Sequence, residues 1–156
     1  MLIDDRVYGE FEITNPTLLK LINSKPLQRL KGINQHGLKE IHHGDPYISR
    51  FEHSIGVLIL LIKLNATIEE QIAGLLHDVP HTAFSHIADH LFKNEEHNYH
   101  DTIFEEVITN SEIPQLLKED GFDVNLFFDE ENFPLLENSI PDLCADRLDY
   151  SFRDMT

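Results

Sequence analysis

Two apolar repeats of helical period lie between Arg50 and Asp78, and they constrain the fold more than any other part of the chain. Ile55, Leu58, Ile59 and Ile62 recur at the spacing of a helix face, and so do Ile68, Ile72, Leu75 and Leu76. The connector Leu64-Asn65-Ala66-Thr67 is short, so the two helices form an antiparallel hairpin. Thr67, with Glu70 three residues on, predicts a capping box, the hydroxyl taking a backbone N–H and the carboxylate reaching back. His53 lies roughly twelve residues before the turn and His77 roughly eleven after it. At about 1.5 Å per residue both imidazoles stand about 16–18 Å from the turn, at nearly the same level. Helices pack about 8–10 Å apart, so two inward imidazoles can share one ion. Asp78 comes next, and Pro80 cannot continue the helix, so the carboxylate can turn toward the same point. The geometry permits a His, His-Asp metal site.

Composition narrows the chemistry. A chain of 156 residues fits one domain with a sizeable core. Its net charge of −16 argues against binding duplex nucleic acid or a membrane surface, both polyanions. A phosphate-bearing substrate would then need a metal and locally placed Arg or Lys. The one cysteine, Cys144, excludes an internal disulfide, and it reads as a packing residue rather than a nucleophile. The N-terminus lacks the basic and apolar regions of a signal peptide, and the longest apolar run is far short of a membrane span. The expectation is a cytoplasmic protein. Of ten histidines, seven fall between His53 and His100, a concentration that favours metal ligation or proton transfer.

The rest of the chain reads as helices around that hairpin. A loose alternation with Gly9 near its middle predicts a small β-hairpin over 3–13. Helices are expected over 17–23, with Asn15 as cap and Pro16 in first position, and over 27–34. A loop over 38–49 carries His42 and His43, and a tight turn spans 79–83. A helix over 84–92 and an exposed loop over 93–99 follow. Further helices are expected over 102–110 and 112–119, the second capped by Ser111. Residues 122–137 are acidic and unassigned, with room for one short helix, and the triplet Asp129-Glu130-Glu131 reads as a solvated face. The last helix is expected from about 140 to 154, with Leu148 and Phe152 inward and Asp146, Asp149, Tyr150, Arg153 and Asp154 on an opposite polar face. The fold class is all-α, a helical bundle with a small N-terminal β-hairpin.

An ordered set of motifs then stands out: Gln28-Arg29-Leu30, Gln35, Arg50-Phe51-Glu52-His53-Ser54-Ile55-Gly56-Val57, Gln71-Ile72-Ala73-Gly74-Leu75-Leu76-His77-Asp78, His81, Phe84-Ser85-His86, His100-Asp101, and Asp146-Arg147-Leu148-Asp149-Tyr150 with Arg153-Asp154. This set resembles the HD superfamily of metal-dependent phosphohydrolases. Within it the likeness is to the dNTP triphosphohydrolases, which include the vertebrate SAM- and HD-domain enzyme and the bacterial dGTP triphosphohydrolases. The resemblance implies a single HD domain over 1–156, without the C-terminal lobe of larger relatives. It implies a divalent metal (Fe²⁺, Mn²⁺, Zn²⁺ or Ni²⁺, with Mg²⁺ at a phosphate) held by His53, His77, Asp78 and Asp146. Gln35 and Arg50 would contact a nucleotide, Arg147 a phosphate, and Tyr150 and Asp154 the sugar. His81, His86 and His100 would line the phosphate path, with His100 the general acid.

The activity so implied is hydrolysis of a dNTP to deoxynucleoside and triphosphate. The alternatives are a phosphomonoesterase or phosphodiesterase acting on another nucleotide, and a non-catalytic nucleotide-binding module. A homo-oligomer is compatible with each. This chain departs from the resemblance at His36, where relatives commonly carry a small apolar residue, and at Val79-Pro80, which replaces an apolar-Gly pair. Without the resemblance, Asp146 and Asp149 read equally well as solvated helical carboxylates, and His100 as the start of a helix. His36, His42, His43, His90 and His97 read as surface residues.

Overall fold

Asp5 and Gly9 set the N-terminal turn. Gly9 takes φ +72°, a left-handed conformation that suits glycine, and the Asp5 carboxylate accepts the Val7 and Tyr8 N–H groups at 2.8 and 3.0 Å. Strands β1 (Leu2–Asp5) and β2 (Gly9–Glu12) therefore pair antiparallel, with Leu2 opposite Glu12. The structure, a computed structural model, describes residues 1–36, 47–82 and 99–155, and of residues 99–102 only the backbone. The expected loop through His42 and His43, the helix over 84–92 and most of the loop after it lie outside the described residues.

Helix α1 (Pro16–Ile22) starts as expected, Asn15 accepting from Thr17 and Leu18 N–H and Pro16 in first position. Helix α2 (Lys25–Arg29) is shorter than the expected 27–34 and tightens into a 3-10 turn at Leu30–Gly32. The backbone turns extended at Ile33 because a long-range pairing takes over. Ile33 O accepts from Arg50 N–H and Gln35 N–H donates to Ile48 O, each at 2.8 Å. This pairing delivers the chain to the start of the central hairpin.

Helices α3 (Arg50–Lys63) and α4 (Ile68–Leu76) form that hairpin. A full capping box stands at α3, where Ser49 Oγ accepts Glu52 N–H at 3.1 Å and Glu52 accepts Ser49 N–H at 2.9 Å. The box expected at α4 is only half made. Thr67 accepts Glu70 N–H at 3.2 Å, but Glu70 turns away and accepts Leu135 and Leu136 N–H at 2.7 and 3.2 Å. The reason is that this stretch has no helix or strand to satisfy its own N–H groups. Glu70→Ala is expected to cost about 1–3 kcal/mol in urea melts, and Glu70→Gln, which keeps the acceptor, less. α3 and α4 pack closely because Gly74 has no side chain: a Cβ there would lie 2.3 Å from Leu61 Cδ1.

Helices α5 (Tyr99–Thr109) and α6 (Ile113–Glu119) follow, Ser111 Oγ accepting from Ile113 N–H at 3.1 Å. Two 3-10 turns, Val124–Phe128 and Glu130–Asn132, occupy the unassigned acidic stretch, each led by an aspartate that accepts a backbone N–H. They bring Phe127 into the core built by α1, α3 and α4, and Phe133 follows it there. Among the described residues no helix is long and apolar enough to cross a membrane.

Helix α7 (Ala145–Arg153) corrects the sequence expectation twice. It starts at 145 rather than 140, because the preceding backbone is bonded elsewhere. Ala145 N–H donates to Leu135 O at 2.8 Å, and the Arg147 guanidinium holds Asn138 O and Asp142 O. Part of its polar face also turns inward in place of the apolar one. Asp149 and Arg153 are buried at 0% and 2% exposure, while Phe152 is 38% exposed. Periodicity identified the two faces, but only the neighbours of α7 decide which one faces in.

Candidate metal centre

The inward face of α7 meets the inward face of α3. Arg50, His53 and Gly56 stand three residues apart on one stripe of α3, and Asp146, Asp149 and Arg153 form the matching stripe of α7. Gly56 lets the two close: a Cβ there would lie 1.9 Å from Asp149 Oδ1 and 2.1 Å from an Arg153 Nη. His53 is buried between the helices, its Nε2 2.7 Å from Asp146 Oδ1 and its Nδ1 2.8 Å from Asp149 Oδ2. His77, just past the end of α4, hydrogen-bonds Gly74 O through Nδ1 at 2.8 Å. Its Nε2 thereby points inward, 3.3 Å from His53 Nε2 and 3.6 Å from Asp146 Oδ1. The candidate donor atoms of His53, His77 and Asp146 all lie within 4.8 Å of one another.

Asp78 adds a fourth candidate donor, a second carboxylate, beside this group. Its Oδ1 accepts from the Arg50 guanidinium at 2.6 Å and from His81 Nε2 at 3.1 Å. Its Oδ2 is buried, 3.9 Å from His53 Nε2, and has no hydrogen-bond partner among the described residues. A buried carboxylate oxygen normally has a partner. This oxygen lies beside the His53, His77 and Asp146 cluster, and a divalent cation would satisfy it, so the residues present fit such an ion.

Electrostatics without an ion support the same reading. Burial alone would lower the His53 pKa, but its hydrogen bonds to Asp146 and Asp149 outweigh burial and hold it up at about 10. Burial would raise Asp78, and Arg50 followed by His77 holds it well below the carboxylate range instead. Asp146 is pulled down in the same way by both imidazoles, against burial. The metal-free site is thus a proton-bridged cluster, and a cation entering it must displace a proton from His53. Below pH 10 metal affinity should therefore rise with pH, about tenfold per unit for one displaced proton. Calorimetric titration of Mn²⁺ in two buffers of different ionisation heat checks this, because the released proton adds the buffer heat to the binding heat.

The other residues singled out in the sequence have these placements. Gln35 has its Oε1 buried with no partner among the described residues. Arg50 is buried and bonded to Asp78, and its Nη2 is 3.5 Å from Gln35 O. His81 is buried on Asp78, with its backbone carbonyl and that of Val79 held by Arg29. Arg147 pairs with Glu137 at 2.7 Å. Asp154 pairs with His36 at 2.6 Å, and Tyr150 is half-exposed with its ring 6.1 Å from the His36 ring. His36 is therefore a partly buried partner of Asp154 rather than a surface residue. His86, and the side chain of His100, lie outside the described residues. Asp149, Arg153, Asp5 and Gly56 were given no role from the sequence. Asp149 and Arg153 stood in the ordered motif set without a role, and a further signal was a glycine three residues after His53 inside a helix, where it weakens the helix unless something must come close.

Residues 50–151 match the HD domain family. A Bacillus subtilis protein named uncharacterized protein YdhJ is 51% identical over 99% of this chain and 48% of its own length. The metal-dependent phosphohydrolase cns2 of Cordyceps militaris is 42% identical over 99% of this chain and 45% of its own. The crystal structure of a hypothetical protein from Aquifex aeolicus superposes with a TM-score of 0.77 at 32% identity, over 99% of this chain and 45% of that one. The chain spans about half the length of these relatives.

Proposed function

We propose, from the premise that this chain belongs to the HD-domain family of metal-dependent phosphohydrolases, that its metal centre hydrolyses a phosphate ester of a nucleotide. The observation that carries the proposal is the orphaned Asp78 Oδ2 beside His53, His77 and Asp146. In this reading those four residues hold a divalent ion. The ion supplies Lewis-acid activation of water and neutralises phosphate charge. Two imidazoles and two carboxylates balance the charge of the ion. The Arg50 guanidinium and His81 lock Asp78 Oδ1, so that the other oxygen faces the ion. Gln35 Oε1 offers an unsatisfied acceptor to a donor on the substrate. A histidine of the set His81, His86 and His100 gives the leaving oxygen its proton.

The ordered motif set favours a dNTP as substrate, with deoxynucleoside and triphosphate as products. A second reading, a phosphomonoesterase or phosphodiesterase on another nucleotide, is favoured by two contacts. Arg147, the residue expected on a phosphate, pairs with Glu137, and Asp154, expected on the sugar, pairs with His36. Mn²⁺-loaded or Fe²⁺-loaded protein incubated with dNTPs, nucleoside monophosphates and a generic phosphodiester separates the readings. Intact triphosphate from a dNTP supports the first, and inorganic phosphate from a monophosphate the second. Bound metal with no product from any of them would overturn the hydrolase reading. His36→Ala is expected to change KM more than kcat, since it releases Asp154 without touching the candidate ligands.

A further inference from the structure

The metal centre does not end at His53. Its Nδ1 is 2.8 Å from Asp149 Oδ2, and that same oxygen accepts from Arg153 Nε at 2.7 Å. Arg153 Nη2 in turn donates to Asp5 Oδ2 at 2.7 Å. The other Asp5 oxygen holds the Val7 and Tyr8 N–H groups of the hairpin turn. Each of these four side chains is buried: His53 1%, Asp149 0%, Arg153 2% and Asp5 7% exposed. An unbroken line of charged hydrogen bonds thus joins the N-terminal turn to a ring nitrogen of His53.

We propose that Asp149 is a positioning residue for His53, and that the N-terminal hairpin belongs to the metal centre because Asp5 holds Asp149 in place through Arg153. The inference rests on the metal-binding reading above. Asp149 accepts the Nδ1 proton, which leaves Nε2 as the nitrogen that faces His77, Asp146 and Asp78. A carboxylate in that place fixes the tautomer and ring plane of a ligating histidine and raises its basicity. Arg153 holds Asp149 in its buried position by donating to the same Oδ2 at 2.7 Å. Arg153 has a long side chain, and Asp5 with the Tyr8 ring, 5.9 Å from the guanidinium, holds its far end. Asp5 touches no candidate ligand, so an effect of Asp5 on metal binding has to travel through this line.

The test measures Co²⁺ affinity by the visible absorption of the bound ion, well below the melting temperature, for the wild-type protein, Asp149→Asn, Asp5→Asn and the double variant. Asp5→Asn keeps the oxygen that caps the turn and replaces the charged acceptor facing Arg153 with an amide nitrogen that cannot accept. Asp149→Asn is expected to weaken Co²⁺ binding about 10–100-fold, and Asp5→Asn on the order of threefold. The double variant should be no weaker than Asp149→Asn alone, because both act through one bond. The ¹⁵N shifts of His53 should move in Asp5→Asn, a change that loss of fold stability alone does not produce. If Asp5→Asn lowers the melting temperature but leaves Co²⁺ affinity and the His53 shifts as in wild type, the positioning role is wrong and the metal site stands. If wild type itself takes up no Co²⁺, both readings fall together. Should Asp149→Asn fail to fold, Asp5→Asn decides the matter alone.

Discussion

His77→Ala is expected to strip the protein of metal and of hydrolytic activity while leaving its fold intact. The asymmetry between the two histidines is the reason. His53 is wedged between two carboxylates with no exposure to speak of, so His53→Ala would leave Asp146 and Asp149 facing each other without their shared cation. Breaking a buried charge arrangement on one side costs about 3–5 kcal/mol, and metal loss could not then be told from unfolding. His77 is 21% exposed; its Nδ1 bonds one backbone carbonyl, Gly74 O, and its Nε2 faces His53 and Asp146 at 3.3 and 3.6 Å, longer than the contacts that hold His53. Removing it should cost no more than about 1–2 kcal/mol and open a space that water can enter. Activity should fall at least as far as removal of a single oxyanion donor takes it, roughly 10²–10³-fold, since the whole charge of the ion is lost. Metal analysis after dialysis, the circular dichroism spectrum and a urea melt check the three parts. A variant that keeps its metal at wild-type level would remove the centre proposed here.

Gly56→Ala is expected to be the most damaging glycine-to-alanine change among the described residues. The added carbon would sit 1.9 Å from Asp149 Oδ1, 2.1 Å from an Arg153 Nη and 2.6 Å from Asp149 Cγ, and neither side chain has room to retreat. Overpacking a tight core costs about 1–3 kcal/mol. Here relief would also pull Asp149 from His53 or Arg153 from Asp149, so the larger figure of about 3–5 kcal/mol applies. A domain has only about 5–15 kcal/mol to lose. The measurement is a paired urea melt with Gly32→Ala, a position where an added Cβ meets nothing within 4 Å. Gly32→Ala should stay within about 1 kcal/mol of wild type. Equal effects at the two glycines would mean that α3 and α7 do not pack as described.

The elements whose formation depends on neighbours in sequence were legible beforehand. The apolar repeats of α3 and α4, the short connector between them, the Asn15-Pro16 helix start and the Gly9 turn each act within a few residues. The elements that failed to match are those whose backbone bonds run to distant partners. α2 ends early because Ile33 and Gln35 bond to Arg50 and Ile48. α7 starts late because Ala145 bonds to Leu135, and Glu70 leaves its own helix start to serve the same loop. Neither distant partner can be read from a local window.

The candidate site divides in the same way. His53, His77 and Asp78 announced themselves by standing level across a hairpin, which follows from rise per residue alone. Asp146 needed the whole ordered motif set. Asp149 and Arg153 stood on the correct stripe of α7, but helical period alone left open whether that polar face meets solvent or the site. The sequence by itself determined which residues share a face, since helical period is a local property. Which face turns inward was decided only in the tertiary structure. There a glycine on α3 leaves space, and a buried arginine and a distant aspartate supply the charges that let a polar face lie in the core.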